Sequence, residues 1–555
     1  MSIGFEERAP NPAGAVERLW IASEEGGFGP PRPDRRAERL RLFHVNDSHA
    51  HLLRFGEGGA PQLRFGRFAA AVGAARASAP EEEAVLFLSA GDDHIGTVLD
   101  ELMGWSPEAF SLDAGYRLLS AAGCDAATLG NHDFDRGAAV LGCGAEEAAF
   151  PLLCANLGWA GAQDAALLEL KGLRVGVIGL ITQTDTRPQP GISLSDPAAA
   201  LRRLAPALGR EADLLIVLSH CGRHVDLDLA PLVAELAPCP AWIVGGHTHH
   251  ALNRSGLEPD NLVAGVPILQ AGCKGAFIGE AVWRRNGDAA TAGLAEARLI
   301  ACDDAPAPRP EDEAAAAPVI AALSGRLSEP FVEIEGAAGA TATVLAERYT
   351  RECALADLFA DIIVERSGIG AYPRLDLAMV NATYFAAGLG PGPATMGDLC
   401  AAAPYAETVW VADVSAADLL AILDSNARRI LRPEEGPPPV DGFVHRGFLH
   451  FSRQLRYTIE LGASAAEARV AEVTLDGAPL TPETPGVWAL GLTTYLAHGG
   501  FREGWKGVDF AGRPCPSLPA LIRSDTGAVH RAEVARALAE TGRVRPELDG
   551  RLVVT

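Results

Sequence analysis

Five short apolar runs in this chain each end on a cluster of potential metal ligands, and all five lie in its first half. Leu40–Val45 runs into Asn46-Asp47-Ser48-His49, and Ala84–Leu88 into Gly91-Asp92-Asp93-His94. Ala126–Leu129 meets Gly130-Asn131-His132-Asp133-Phe134-Asp135, and Leu214–Leu218 meets Ser219-His220. Trp242–Val244 meets Gly245-Gly246-His247-Thr248-His249-His250. Ten of the fourteen histidines fall between His44 and His250. Short apolar runs alternating with helical stretches read as strands of an α/β layer. Strands that end together gather the loops that follow them around one point. The first half is thereby constrained to an α/β fold with one polar centre at its strand carboxyl ends.

A chain of 555 residues is too long for a single core, so at least two domains are expected. A net charge of −24 argues against a nucleic-acid polymer or an anionic membrane as partner, since both need a basic face. It leaves room for a small anionic substrate, because bound metal ions invert the local field. The ten cysteines are scattered and form no C-x-x-C, which disfavours a zinc ribbon and suggests a reducing compartment. Met1–Arg39 carries no continuous apolar core of the kind a secretory signal needs, and no run approaches the ~18 residues of a membrane span. These readings make the cytoplasm the expected location.

Composition divides the chain into an irregular, Gly-, Pro- and Glu-rich arm (1–39), a catalytic α/β domain (40–305), a connector with a helix (306–333) and a second domain (334–555). Gly66–Ala77 and Pro107–Ala122 carry helical spacing, and Leu173–Ile181 reads as a further strand. Glu311–Leu327 supplies the connecting helix. In the second domain, Glu352–Arg366 is an amphipathic helix, Leu431–Pro439 a loop, and Ser415 the N-cap of a helix over Ala416–Asn426.

Two divalent ions about 3.5–4 Å apart can clamp the attacking and leaving oxygens of a phosphoryl group. Such a site needs a carboxylate able to bridge the ions and nitrogen or oxygen ligands around each. The five clusters offer Asp47, His49, Asp92, Asn131, His220, His247 and His249. Imidazole and carboxylate suit Mn, Zn or Fe and require no thiolate. His44, His51, His94, His224 and His250 read as neighbouring or surface residues, and Cys221 as a small buried one.

N-D-x-H, G-D, G-N-H-D-F-D, S-H-x-G and G-G-H-T-H, in this order, resemble the calcineurin-like metallophosphoesterases, and more narrowly their 5′-nucleotidase family. Glu352-Cys353-Ala354-Leu355-Ala356-Asp357-Leu358 and the segment Gly542–Arg551 match the same family, so the resemblance runs from about Arg41 to Val554. It implies a four-layer α/β/β/α sandwich followed by a smaller α+β substrate-binding domain. It implies one ion held by Asp47, His49 and His249, another by Asn131, His220 and His247, and Asp92 between them. His132 would stabilise charge on a phosphate oxygen, with Asp135 holding its ring. The family usually has Glu where this chain has Asp133; because that residue is not a ligand, the exchange is expected to have little effect.

The resemblance also implies that the second domain sandwiches a base between two rings, here Tyr405 and Tyr495, with Asn381 retained nearby. Three positions depart from the pattern: Ala386 stands for an arginine, Glu407 for a neutral amide and Phe501 for an acid. Ala386 removes a bidentate phosphate contact, for which Arg348 and Arg351 are candidate replacements. The expected activity is hydrolysis of a small phosphomonoester, a nucleotide being favoured. Cyclic-nucleotide phosphodiesterase, sugar-nucleotide pyrophosphatase and sulfate-releasing thiohydrolase activities are the alternatives, with a catalytically silent binding protein as the rival of another class.

Overall fold

The computed structural model describes residues 4–23, 37–55, 61–104, 106–183, 186, 190–369, 373–405, 407–430, 447–500, 504–509 and 512–555. Phe501 and the loop expected at Leu431–Pro439 lie outside these residues. The chain divides into two compact units, Met1–Leu323 and Ser324–Thr555, and the division falls within the helix Pro310–Ser328. No described helix is long and apolar enough to cross a membrane.

The first unit is built on two sheets. Their strands in chain order are β1 (Gly4–Arg8), β2 (Arg18–Ser23), β3 (Arg39–Val45), β4 (Glu83–Ser89), β5 (Ala126–Thr128), β6 (Leu152–Leu153) and β7 (Ala165–Leu170). There follow β8 (Leu173–Ile181), β9 (Leu214–His220), β10 (Ala241–Gly245), β11 (Leu262–Val263), β12 (Val266–Leu269), β13 (Phe277–Arg284) and β14 (Leu294–Ala301). One sheet has the order β14-β13-β3-β4-β5-β6, the other β1-β2-β7-β8-β9-β10-β12-β11. The segments β3-β4-β5-β6 and β8-β9-β10-β12 are parallel throughout.

Strand periodicity explains the layering, because alternate side chains face opposite sides of a sheet. In β9, Leu214, Ile216 and Leu218 share a core with Leu40, Leu42, Leu86 and Leu88 of the facing sheet. The alternate Leu215 and Val217 pack on Leu201, Leu204 and Val233 of the helices Pro197–Glu211 and Arg223–Leu236. The helix Arg64–Ser78 contacts β4 of the other sheet. The result is the α/β/β/α sandwich that the resemblance implied. Register then levels the strand ends: Val45 pairs with Ser89, Ser89 with Ala127, and Ser219 with Gly245.

The N-terminal arm is corrected. Residues 4–8 and 18–23 form β1 and β2, which pair antiparallel and extend the larger sheet through Trp20 opposite Leu167. The cause is the apolar triplet Leu19-Trp20-Ile21, buried to 2–7% exposure. Arg18 and Arg174 stack on the Trp20 ring, 4.5 and 5.7 Å from its centroid.

The second unit is α+β. Its five-stranded sheet is formed by β15 (Leu377–Asn381), β16 (Thr408–Ser415), β17 (Leu449–Phe451), β18 (Val487–Thr493) and β19 (Ile522–Val529), in the order β17-β15-β18-β16-β19. Ser415 and Asp418 form a reciprocal capping box at the start of the helix Ala416–Ala427, as the Ser N-cap predicted. That helix buries Leu419, Ile422 and Leu423 against Leu377, Met379 and Leu490. Two of the family-like segments meet here. Glu352 Oε1 accepts the N–H groups of Asp549, Gly550 and Arg551, and Arg551 holds Asp361 through contacts of 2.9 and 3.0 Å.

Candidate metal centre

Each sequence cluster becomes the loop at the end of one parallel strand: β3 is followed by Asp47 and His49, β4 by Asp92, and β5 by Asn131 and His132. His220 is the last residue of β9, and His247 and His249 follow β10. The loops hold one another. Asp47 N–H donates to Gly91 O at 2.8 Å, His49 N–H to Asp92 O at 2.9 Å and Lys274 N–H to Asp47 O at 2.6 Å. His247 N–H donates to Asp47 Oδ2 at 2.9 Å.

Asp47, His49, Asp92, His247 and His249 all have positive φ, between 45° and 72°. Such a conformation costs a non-glycine residue about 1–3 kcal/mol and persists only where its surroundings over-determine it. Here the inter-loop hydrogen bonds do so.

The seven residues converge as two groups. The ligand atoms of Asp47, His49 and His249 lie within 4.8 Å of one another, as do those of Asp92, His220 and His247. Asn131 Oδ1 joins the second group, 3.0 Å from His247 Nδ1. Asp92 stands between the groups, its Oδ2 3.1 Å from His220 Nε2 and 3.9 Å from His49 Nε2.

The donor set fits a pair of cations. Asp47 and Asp92 are 0% and 1% exposed, and two buried carboxylates need compensating positive charge. His220 Nδ1 donates to Ala90 O at 2.6 Å, which turns Nε2 toward the carboxylates; that Nε2 is buried without a hydrogen bond of good geometry. His49 Nδ1 is likewise engaged by Ile95 O at 3.0 Å, and its Nε2 faces His249 Nε2 at 3.2 Å. Anchoring one ring nitrogen to present the other is the usual support of a metal-binding histidine. The local field also favours positive charge. Burial pushes His220 down, but Asp92 and Asp47 outweigh it and raise it to about 10. Asp47, followed by Cys273, raises His249 to about 10. Burial pushes the Asp92 carboxyl up, yet His220, His132 and His49 hold it well below the ordinary range.

His132 lies at the edge of the centre. Its backbone N–H donates to Asp92 Oδ1 at 2.8 Å, its Nδ1 pairs with Asp135 Oδ2 at 2.8 Å, and its side chain is 30% exposed. Cys221 is buried, and burial pushes its thiol up, which makes it a poor nucleophile.

Asp133 stands outside both ligand groups and joins two of the loops. Its carboxylate accepts the N–H groups of Gly130 at 2.7 Å, Asp93 at 3.0 Å, Asp92 at 3.2 Å and His94 at 3.3 Å. It also meets His94 Nδ1 at 2.7 Å, while His94 Nε2 reaches Asp113 Oδ2 at 2.8 Å. Burial disfavours charge on His94, but Asp113 and Asp133 raise it well above its ordinary range. The available signal was the Asp-Asp-His run directly after Gly91.

In the second unit, Tyr405 is 43% exposed and Tyr495 is half-buried. Asn381 is 2% exposed, with Nδ2 on Thr383 and Oδ1 accepting from Thr493 at 3.4 Å, so its amide is committed internally. Arg348 donates to Phe385 O and Arg351 is exposed. Glu407 Oε2 accepts the Tyr495 N–H at 2.8 Å; burial raises this carboxyl against the opposing Tyr495 and Thr493 contacts.

Residues 40–251 match the calcineurin-like phosphoesterase family, and residues 333–502 match the 5′-nucleotidase C-terminal domain. The chain is 26% identical over 552 residues to a probable 5′-nucleotidase of Treponema pallidum, covering 84% of this chain and 87% of that one. It is 28% identical over 309 residues to the 5′-nucleotidase of Vibrio cholerae, covering 48% and 53%. The fold is that of the Haemophilus influenzae NAD nucleotidase, with a TM-score of 0.63 at 16% identity over 94% of this chain and 99% of that one. The putative 5′-nucleotidase of Staphylococcus aureus gives 0.53 at 17% identity over 93% and 99%. The protein is thus a calcineurin-like, metal-dependent phosphomonoesterase. Within that class it belongs to the 5′-nucleotidase family.

Proposed function

We propose that this enzyme releases phosphate from nucleoside 5′-monophosphates. The observation that carries the reading is Asp92, whose carboxylate lies between two ligand groups in one unit while a 5′-nucleotidase-type domain forms the other. Asp47, His49 and His249 would hold one divalent ion, Asn131, His220 and His247 the second, and Asp92 both. The nitrogen and oxygen donors suit Mn, Zn or Fe. When bound, such ions lower the pKa of water and neutralise phosphate charge. His132 then donates a hydrogen bond to a non-bridging phosphate oxygen, and Asp135 keeps its ring oriented and favours its protonated form.

The test is phosphate release by protein purified with added Mn²⁺, on nucleoside 5′-monophosphates, a 2′,3′-cyclic nucleotide, a sugar nucleotide and an aryl phosphate. Preference for a 5′-monophosphate is the expected result. Preference for the cyclic or sugar nucleotide would replace the reading. A cytoplasmic location is part of the proposal, supported by ten scattered cysteines that are free thiols in the structure, and cell fractionation tests it.

A further inference from the structure

Six consecutive backbone N–H groups, from Asp92 to Thr97, are taken up by two buried carboxylates. Asp133 receives the first three. Asp100 receives the next three: Ile95 N–H at 3.1 Å through Oδ1, and Gly96 and Thr97 N–H at 2.7 and 3.0 Å through Oδ2. Asp100 is 5% exposed and sits in the short turn Val98–Leu102, where it completes a capping box with Thr97. A capping box uses only the Thr97 N–H. The bonds to Ile95 and Gly96 lie outside the turn and serve the loop after β4.

That half of the loop faces His49. Ile95 O meets His49 Nδ1 at 3.0 Å, the contact that turns Nε2 toward the first ligand group. Thr97 Oγ1 donates to Ala50 O at 3.2 Å. A Cβ at Gly96 would lie 2.6 Å from His49 O, so the two loops touch there. Ile95 has a φ of 58°, an outlying value for a β-branched residue that its surroundings must enforce. Its N–H is held by Asp100 and its C=O by His49. We propose that Asp100 is a positioning residue for His49, and that it sets the affinity of the ion held by Asp47, His49 and His249 but not that of its neighbour. Asp133 fixes Asp92 independently, and His220 and His247 stand at strand ends of the other sheet. The proposal rests on the two-ion reading above.

Calorimetric titration of the metal-free full chain with Mn²⁺ tests it without turnover. The wild type should take up two ions. Asp100→Asn leaves one acceptor oxygen for three N–H groups and should weaken one binding step about 10-fold; Asp100→Ala should weaken it about 10- to 100-fold. The weakened step should be the one that His49→Ala abolishes, while the step that His220→Ala abolishes stays within about twofold. In phosphate-release assays of Asp100→Asn, kcat at saturating Mn²⁺ should stay near that of the wild type, while the half-activating Mn²⁺ concentration rises by the same factor as the weakened step. A turn that only stabilises the fold would lower the urea midpoint and leave both affinities alone. That result, equal weakening of both steps, or a loss of kcat that excess Mn²⁺ does not restore overturns the proposal and leaves the two-ion reading standing. If Asp100→Ala does not fold, Asp100→Asn decides alone. A wild type that binds fewer than two ions overturns the two-ion reading and the proposal with it.

Discussion

His94 Nδ1 lies 2.7 Å from Asp133 Oδ1, a buried ion pair that joins the loop after β4 to the loop after β5. Through it the orientation of Asp92 depends on a residue that binds no metal. Removing one partner of a buried pair typically costs about 3–5 kcal/mol. Asp133→Ala should destabilise the first unit by that amount and weaken metal binding by about 10- to 100-fold. Urea unfolding and metal titration check both. Normal metal affinity in a folded Asp133→Ala protein would show that the loops keep their positions without it.

Asp92→Asn should retain the fold and lose at least about a hundredfold in kcat, since one neutral oxygen replaces a charge shared by two ligand groups. Circular dichroism and metal content accompany the kinetics. Turnover near that of the wild type would remove Asp92 from the centre.

His132 and Asp135 should separate by magnitude. His132→Ala is expected to lower kcat by about 10²–10³ with little change in KM, the pattern of a contact made in the transition state. Asp135→Asn, which leaves the ring in place but weakens its orientation, should cost about 10- to 100-fold. Equal losses would mean that the two residues act as one structural unit.

His44, His450 and His530 are buried, and burial lowers each to about 4 from 6.5. The unfolded chain takes up protons first as pH falls through 6.5. Stability is therefore full above about 6.5 and declines down to about 4, by of order 3 kcal/mol per histidine. Asp226, which burial pushes up to about 7, acts with the opposite sign in this window. The histidine contribution is therefore read as the difference in urea midpoint between the wild type and His530→Phe from pH 7 to 4.5, the variant losing less stability as pH falls. An identical pH dependence of the two proteins would contradict the assignment.

Trp20→Ala should cost about 3–5 kcal/mol, because its indole is 3% exposed in the core shared with Leu167. Loss confined to fraying of the first strands, with an unchanged global midpoint, would show that the arm is dispensable.

Much of the centre was legible because strand ends and ligand chemistry are both local in sequence. β8 follows its nine-residue apolar run, and Ser415 caps its helix as its type requires. The helix expected over Pro107–Ala122 instead breaks into a short turn at Pro107–Ala109 and a helix from Ala114, because the Asp113 side chain accepts from Tyr116 N–H and begins a new helix. The N-terminal strands were hidden because three apolar residues sit among Gly, Pro and Glu. The role of Asp133 was hidden because most of its partners belong to another loop, the backbone groups of Asp92, Asp93 and His94 and the His94 ring. Positive φ at the ligand positions was equally invisible, since Asp and His carry no glycine-like mark.

The mutual anchoring of the ligand loops has a consequence for engineering. Asp47 receives His247, Lys274 reaches back to Asp47, and His49 leans on Asp92, so each loop borrows its shape from the others. A single loop grafted into a foreign scaffold would arrive without its neighbours and relax out of register. The five loops therefore keep the shape of the centre only as a set, and a transplanted centre would need all of them.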